Sequence, residues 1–535
     1  MENHLTSLSR YCIAEPPTNT LSDFKTALES LRGELKLNDN VFRGVDGFLA
    51  KHFKKSDTVQ NIIDDAKSAD IVNKLRFFTA NSNIHFCRES ITTPKSRFSA
   101  SIYLETEDGS TAAGSTRVYG EYHHGGAPAA SYDSGLLPFA ARALQVFKAQ
   151  PTRYFLHAFI LHGPLWSFGC LTNPQELLRI LAGYGMMNDK ESGVNTFVKD
   201  ISSDESISSD ESVSSDKDNK MYLRPEMIAA PGYLVGLGTT CFAASKSTTD
   251  EPDIVVKFSW RADNTTTEPL MIWLAHKRGV KGIIKLLGHQ DLVSIADLRQ
   301  PLQFPRSFVN RTLSCFATSP LGRPIRKQFS LSTEDGRMIH RDIAIKNLVI
   351  SPQSCWGNPM GILIDFDSAL KVKKGHPVGQ RVGSDGFMAI GVLRGEEHTY
   401  RHDLESLFYV FLWLAIANDR EHDYSREILK GLPEKSRLHN WCSPVLDFSA
   451  VEKAVTTDMS PQGFEGILGE FSPDFVELKN LARKLHGLIF PVRDGVIFTG
   501  TDKDKKTATW LFTTMANAFM DKTRCQKTRC KGRSL

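Results

Sequence analysis

The chain has 535 residues, with 65 Lys plus Arg against 61 Asp plus Glu and a formal net charge of +4. Such a balance gives no electrostatic case for a nucleic-acid partner, and the length suggests roughly two to four domains. Its cysteines form neither an even disulfide framework nor a C-x-x-C zinc pattern, which reads as reduced thiols in an intracellular protein, cytoplasmic or nuclear. The longest apolar run, near Leu407 to Ile416, is too short to cross a bilayer, and the first residues carry no secretion signal, so no membrane partner is expected.

In chain order, residues 1–95 form a helical N-terminal region, because Leu21, Phe24, Leu28 and Leu31 recur at helical spacing with polar residues between. Residues 96–200 form an α+β module. It begins with strand-like segments after Arg97, continues with Leu137, Ala140, Leu144 and Phe147 at helical spacing, and returns to a strand at Tyr154 to Leu161. Residues 201–220 are a near-repeat of serine and acid with almost nothing to bury, hence a disordered linker. Their serines followed by acids also resemble substrates of acid-directed kinases. Strands and helices resume over 221–520, and 521–535 is a basic tail, with Lys-Thr-Arg-Cys repeated, that is expected to be unstructured and leaves a nucleic-acid contact open.

The chemistry concentrates in 221–520. His340-Arg341-Asp342 is followed by Lys346-Asn347, so Asp342 and Asn347 stand five residues apart on a loop, and Asp365 follows the apolar run Gly361 to Ile364. Phosphoryl transfer needs an acceptor for the hydroxyl proton, a metal held by carboxylate and amide oxygens, a cation on the phosphates and a glycine-rich cover. Asp342 fits the base. Asn347 and Asp365 fit the metal ligands, and hard oxygen donors suit Mg²⁺. Upstream, Gly236 and Gly238 lie in a G-x-G-x-x-C loop whose backbone can approach phosphates without Cβ clashes. Lys257 ends the apolar strand Ile254 to Val256, and Glu268, opening a helical run, is its expected partner.

Alone, the glycine loop is weak. The joint order of glycine loop, lysine, glutamate, His-Arg-Asp with Asn, and Asp-Phe-Asp predicts an α+β, bilobal protein kinase-like fold. It would have a small β-rich N-lobe and a larger helical C-lobe, preceded by the α+β N-terminal module. ATP and Mg²⁺ are the implied cofactors and a protein is the implied substrate. Downstream, Gly383 to Leu393 reads as the end of an activation segment. Asp403, in His402-Asp403-Leu404-Glu405-Ser406, would brace the catalytic loop backbone, and Phe408, Phe411, Leu412 and Trp413 read as core.

At these residues the chain resembles the fungal-type protein kinase family, which pairs His-Arg-Asp-Ile with Ile-Asp-Phe-Asp and His-Asp-Leu-Glu-Ser. The resemblance covers residues 225–450 and extends more loosely to Ala149-Gln-Pro-Thr-Arg153-Tyr-Phe. It implies ATP-dependent protein phosphorylation and a fungal source. Some members carry Gly-Glu-x-Lys in the N-terminal region, reminiscent of restriction-type nucleases. Here Gly120-Glu121-Tyr122-His123 lacks the lysine, which argues against nuclease activity.

Several residues depart from kinase patterns. Asp367 replaces the glycine after Asp-Phe, Ala344 stands where many Ser/Thr kinases have a lysine, with Lys346 placed to supply that charge, and Gly391 replaces the glutamate of Ala-Pro-Glu. Arg341 is positioned to pair with a phosphate on Ser368 or Ser384. Only residues 325–337 separate Pro324 from Met338, where two helices normally fill the interval from hinge to catalytic loop. That shortening keeps a second reading open, a pseudokinase that binds nucleotide without turnover. A third, a small-molecule phosphotransferase, shares the His-x-Asp and Ile-Asp-Phe-Asp pattern but does not need the Gly383 to Leu393 platform.

Overall fold

The computed structural model describes residues 45–53, 84–87, 99–104, 116–123, 132–162, 179–198 without 181 and 185, and 221–324 without 231–233, 235, 264 and 265. It also describes 338–351, 361–371, 381–417 and 432–531 without 444–446 and 503. The expected helices at Leu21 to Leu31, the serine and acid segment, and residues 325–337 lie outside the described residues.

The strands in chain order are β1 (Ile84–Cys87), β2 (Ser99–Leu104), β3 (Val118–His123), β4 (His157–His162), β5 (Tyr222–Ala229), β6 (Thr240–Ser245), β7 (Ile254–Ala262), β8 (Lys285–Ser294), β9 (Arg311–Ser319), β10 (Arg323–Pro324), β11 (Met338–Ile339), β12 (Leu348–Ile350), β13 (Gly361–Leu363), β14 (Leu370–Lys371), β15 (Val492–Arg493) and β16 (Val496–Ile497). The helices are α1 (Phe48–His52), α2 (Tyr132–Ala149), α3 (Asp189–Ser192), α4 (Glu268–Lys277), α5 (Ile295–Arg299), α6 (Ile390–Leu393), α7 (Tyr400–Ala417), α8 (Phe448–Asp458), α9 (Pro461–Gly469), α10 (Lys479–Ile489) and α11 (Lys505–Lys531). This mixture makes the chain α+β. No described helix is long and apolar enough to cross a membrane. The chain divides into two compact units. The first holds residues 1–250, 256–264 and 290–315, and the second holds 251–255, 265–289 and 316–535.

In the first unit, β1, β2 and β3 form an antiparallel meander, and β4 lies parallel to β3 with Val118 opposite His157. A parallel neighbour needs a crossover, which α2 supplies. That helix covers all four residues whose spacing predicted it, and it buries Ala140 and Val146. Phe53, Val118, Tyr184 and Met187 make a small apolar cluster beside the meander.

Just after α2, the guanidinium of Arg153 is buried and acts as a polar centre. Its Nε donates to the Phe155 carbonyl at 2.6 Å, Nη1 to the Thr116 carbonyl and Gln150 Oε1 at 2.6 Å each, and Nη2 to the carbonyls of Arg117 and Ser192. Burial, reinforced by Arg117 and opposed by Asp189, pulls its pKa down to about 9. The same unit carries most of a second sheet, in the order β5-β6-β7-β9-β8. There Phe242 and Phe258 meet edge to face at 6.2 Å.

The second unit is organised on α7. Every residue of this helix except Tyr400 and Leu414 is buried, so it is an interior helix with apolar contacts all round. Phe408 touches Phe411, Phe464, His486 and Phe490, and Tyr409 stacks on Phe490 and meets Trp441. The expectation that Phe408, Phe411, Leu412 and Trp413 are core holds. From α10, Leu481, Ala482, Leu485 and Ile489 face this core, and from α11, Leu511, Met515, Ala518 and Phe519.

The chain's end differs from expectation, because α11 continues to Lys531 and residues 521–531 are helical rather than unstructured. No glycine or proline interrupts 505–531, and the first glycine after Lys505 is Gly532. Once the buried half of the helix is anchored, propagation adds a hydrogen bond per residue with nothing to stop it.

Candidate active site

In the second unit, His340 and Arg341 leave the short strand β11 and turn sharply, Arg341 taking φ 69°. That left-handed backbone is costly for a side-chain-bearing residue, about 1–3 kcal/mol, and persists only where surrounding bonds over-determine it. Asp403 supplies those bonds from the first turn of α7. Its Oδ2 accepts from His340 N at 2.6 Å and its Oδ1 from Arg341 N at 2.9 Å. Burial pushes the Asp403 carboxyl up, while His340 and these N–H groups pull it back. The His340 ring accepts from Asp342 N through Nδ1 at 3.3 Å and sits 3.1 Å from the Ile364 carbonyl through Nε2. A carbonyl only accepts, so the proton belongs on Nε2. The imidazole thus ties the loop to the strand leading to Asp365.

Asp342 is held at both oxygens. Ser384 Oγ donates to Oδ1 at 2.6 Å and Asn347 Nδ2 to Oδ2 at 3.0 Å, while Lys346 Nζ stands 3.8 Å from Oδ2. Asn347 Nδ2 also donates to the Asp342 carbonyl at 2.8 Å. Both partners are acceptors, which assigns the amide nitrogen to this side and leaves the amide oxygen for another ligand. Asn347 is buried, and its carbonyl accepts from Ile364 N at 3.0 Å.

Asp365 follows β13 with φ 66°, a second left-handed side-chain-bearing residue at the loop. Its neighbour Phe366 is buried, 4.9 Å from the His340 ring, and Phe366 N donates to Glu268 Oε1 at 2.9 Å. Carboxylate oxygens of Glu268, Asp365 and Asp367 lie within 4.8 Å of one another, a grouping able to hold a cation. Glu268, expected from sequence as the partner of Lys257, thus has a place at the Asp365 turn that sequence reasoning did not assign it. It is the first residue of α4, whose Thr267 cap accepts from Leu270 N at 3.3 Å, and it reaches the turn that carries Asp365.

Arg341 Nε donates to the backbone carbonyl of Ser368 at 2.6 Å, and Ser384 is engaged by Asp342. Burial lowers the Arg341 pKa, with Asp403 opposing. The Ser384 bond to the base was missed in sequence. Its one signal was a hydroxyl placed just after Gly383 in the segment read as a substrate platform.

The other expected residues lie in the first unit. Gly238 has φ 55° and Trp260 N donates to the Leu237 carbonyl at 2.6 Å, so the loop folds back along β7 through a turn that glycine tolerates. Among the described residues, a Cβ on Gly236 would meet nothing within 4 Å. Lys257 is buried on β7.

A family model described as fungal protein kinase matches residues 105–333 and 325–415. The two matched segments overlap at 325–333, where the interval before His340 is short. No curated protein matches the chain.

Proposed function

The chain belongs to the fungal protein kinase family, and from that premise we propose that it transfers the γ-phosphate of ATP to serine or threonine hydroxyls of a protein substrate. The observation that carries this reading is the two-sided hold on Asp342, by Ser384 and Asn347. A general base must be aimed before its proton arrives, and here both carboxylate oxygens have fixed donors. Asp342 accepts the proton of the attacking hydroxyl, Lys346 and Ser384 keep the carboxylate in place, and Asp403 and Arg341 fix the loop.

The donor set fits Mg²⁺, since the amide oxygen of Asn347 and the carboxylate of Asp365 are hard oxygens. When bound, the ion neutralises charge gathering on the phosphates. Lys257 and the backbone of Gly236 and Gly238 hold the phosphates, and Glu268 orients the Asp365 turn through Phe366 N. The free thiols of Cys315 and Cys442 suit a reducing, intracellular setting.

Asp342→Asn is expected to abolish phosphate transfer from radiolabelled ATP while the Mg-ATP thermal shift stays at its wild-type value. Undiminished transfer would refute the assignment. The short interval at residues 325–337 favours a second reading, a pseudokinase, which the same pair of assays separates by showing nucleotide binding without transfer in the wild-type chain.

A further inference from the structure

The activation segment lacks its usual anchor, because Gly391 stands where the Ala-Pro-Glu pattern puts glutamate. The surroundings show that a side chain there has no room. A Cβ on Gly391 would lie 2.5 Å from His402 Nε2 and 2.8 Å from Glu396 Oε2. One residue earlier, the backbone is tied by a different carboxylate. Ile390 N, at the start of α6, donates to Glu405 Oε1 at 2.7 Å.

Glu405 is fully buried on α7. Its Oε1 also accepts from the Tyr409 hydroxyl at 2.7 Å, and its Oε2 pairs with Arg401 Nη1 at 2.7 Å, one helical turn away. Arg401 continues the chain of bonds. Nη1 donates to the Thr499 carbonyl at 2.8 Å, and Nη2 to the carbonyls of Phe498, at 3.1 Å, and Ile489. Arg394, just past α6, reaches the same stretch through Thr499 Oγ1 at 3.0 Å. The activation segment, α7 and the segment after α10 are therefore joined through one buried carboxylate and one buried guanidinium.

We propose that Glu405, paired with Arg401, is the positioning residue that holds the C-terminal end of the activation segment, taking over the task of the glutamate that Gly391 replaces. This rests on the reading of the chain as a protein kinase. Arg401 and Tyr409 already give both Glu405 oxygens a donor from within α7, and the further bond from Ile390 N is the one that ties the helix to the activation segment. The acceptor site lies along the held segment, and Glu405 ties its end at Ile390, six residues past the Ser384 that bonds Asp342, so loosening that end weakens acceptor binding before it weakens chemistry.

The test uses the full chain with Glu405→Gln and Ile390→Pro, singly and together. Ile390→Pro removes the donated N–H at the first position of α6, where proline is tolerated, and it leaves the Arg401–Glu405 pair in place, so it serves if Glu405→Gln fails to fold. With dephosphorylated casein as acceptor, each single variant is expected to raise the acceptor KM at least fivefold, with kcat and the ATP KM within twofold of wild type. Glu405→Gln in the Ile390→Pro background is expected to add less than a further twofold. Hydrogen exchange of the Val392 and Leu393 amides in Glu405→Gln is expected to quicken at least tenfold, while residues 479–489 stay protected. Equal added effects in both backgrounds, an unchanged acceptor KM, or exchange quickening equally over 479–489 overturns the proposal. A wild-type chain that transfers no phosphate counts against the kinase reading alone, and the exchange measurement then decides the anchor by itself.

Discussion

The two units differ in what dominates their centres, although the second adds the buried Arg401–Glu405 pair to its apolar core. Around α7 in the second unit, Phe408, Tyr409 and Trp413 are almost wholly buried among other apolar side chains, and stability there comes from area removed from water. Beside the β1–β4 sheet in the first unit, the apolar cluster among the described residues is small, and a polar centre stands next to it, Arg153 with its five hydrogen bonds and a pair of histidines, His52 and His157, whose rings are 4.6 Å apart. Apolar contacts are non-directional and degrade gradually, whereas a buried guanidinium serving several carbonyls works as a unit and leaves them unsatisfied when it goes. The units should therefore fail differently when their centres are altered.

The largest expected effect is Phe408→Ala, about 3–5 kcal/mol from the second unit, read as loss of hydrogen-exchange protection over 400–417. Phe408→Leu is expected to lose less than half as much, since a large apolar side chain still fills most of the space. Arg153→Met should cost the first unit about 3 kcal/mol through the orphaned carbonyls. Here the conservative change does not help, because Arg153→Lys keeps the charge but not the planar fork, and exchange over 116–123 and 150–158 should quicken nearly as much as in Arg153→Met. If Arg153→Lys behaves like Phe408→Leu, the contrast between the units disappears.

Acid probes the same difference more gently. Burial, assisted by Lys51, lowers His52 from the usual 6.5 to about 4, and burial, assisted by His52, Arg153 and Lys51 and opposed by the Glu191 carbonyl, lowers His157 to about 4 as well. The unfolded chain binds more protons than the folded one between those values. Stability of the first unit is therefore full above about pH 6.5 and falls as the pH drops toward 4. Because His52 is only half-buried, the pair together is expected to lose about 1–3 kcal/mol over that window. His157→Phe should flatten the profile of the first unit in a pH series of exchange measurements. The second unit carries His402 on α7, lowered to about 3 by burial and Arg401, and His486 on α10, lowered by burial against the Met459 carbonyl and Glu465. Its profile should therefore also fall below about pH 6.5, through two histidines on separate helices and not through a facing pair. Equal slopes in the two units, with His157→Phe changing neither, would show that the histidine pair is not what distinguishes the first.

What was legible in sequence follows the reach of each interaction. The His340 to Asp367 residues were readable because their roles depend on local spacing, and the helix at Leu137 to Phe147 because its periodicity is its own. Asp403 was singled out through its motif, and its carboxylate accepts from His340 N and Arg341 N. The bond from Ser384 to Asp342 spans 42 positions and that from Phe366 N to Glu268 spans 98, and no spacing rule reaches so far. Gly391 looked like a defect because only the fold reveals that its Cβ space is filled and that Glu405 stands behind the neighbouring N–H. The helical end of α11 was obscured by composition, since a basic run signals solvent exposure and not conformation.

The smallest expected effect bears most directly on how far the polar centre extends. Asn188 caps α3 reciprocally, its Oδ1 accepting from Glu191 N at 2.9 Å while Glu191 Oε2 accepts from Asn188 N at 3.1 Å. In the second unit Ser460 caps α9, its Oγ accepting from Gly463 N at 3.0 Å and donating to the Thr457 carbonyl at 2.7 Å, which serves only its own turn. Either cap changed to alanine should cost about 1 kcal/mol. They differ in what the turn carries. The four-residue α3 presents the Ser192 carbonyl to Arg153 and the Glu191 carbonyl to His157, so loosening it disturbs both polar partners at once. Asn188→Ala combined with Arg153→Met should then cost about 0.5–1 kcal/mol less than the sum of the two single changes, because each removes part of what the other supports. Strict additivity in that cycle would make the Arg153 bonds a local feature of residues 116–155, and the first unit would owe its order chiefly to the Phe53, Val118, Tyr184 and Met187 cluster, as the second owes its order to α7.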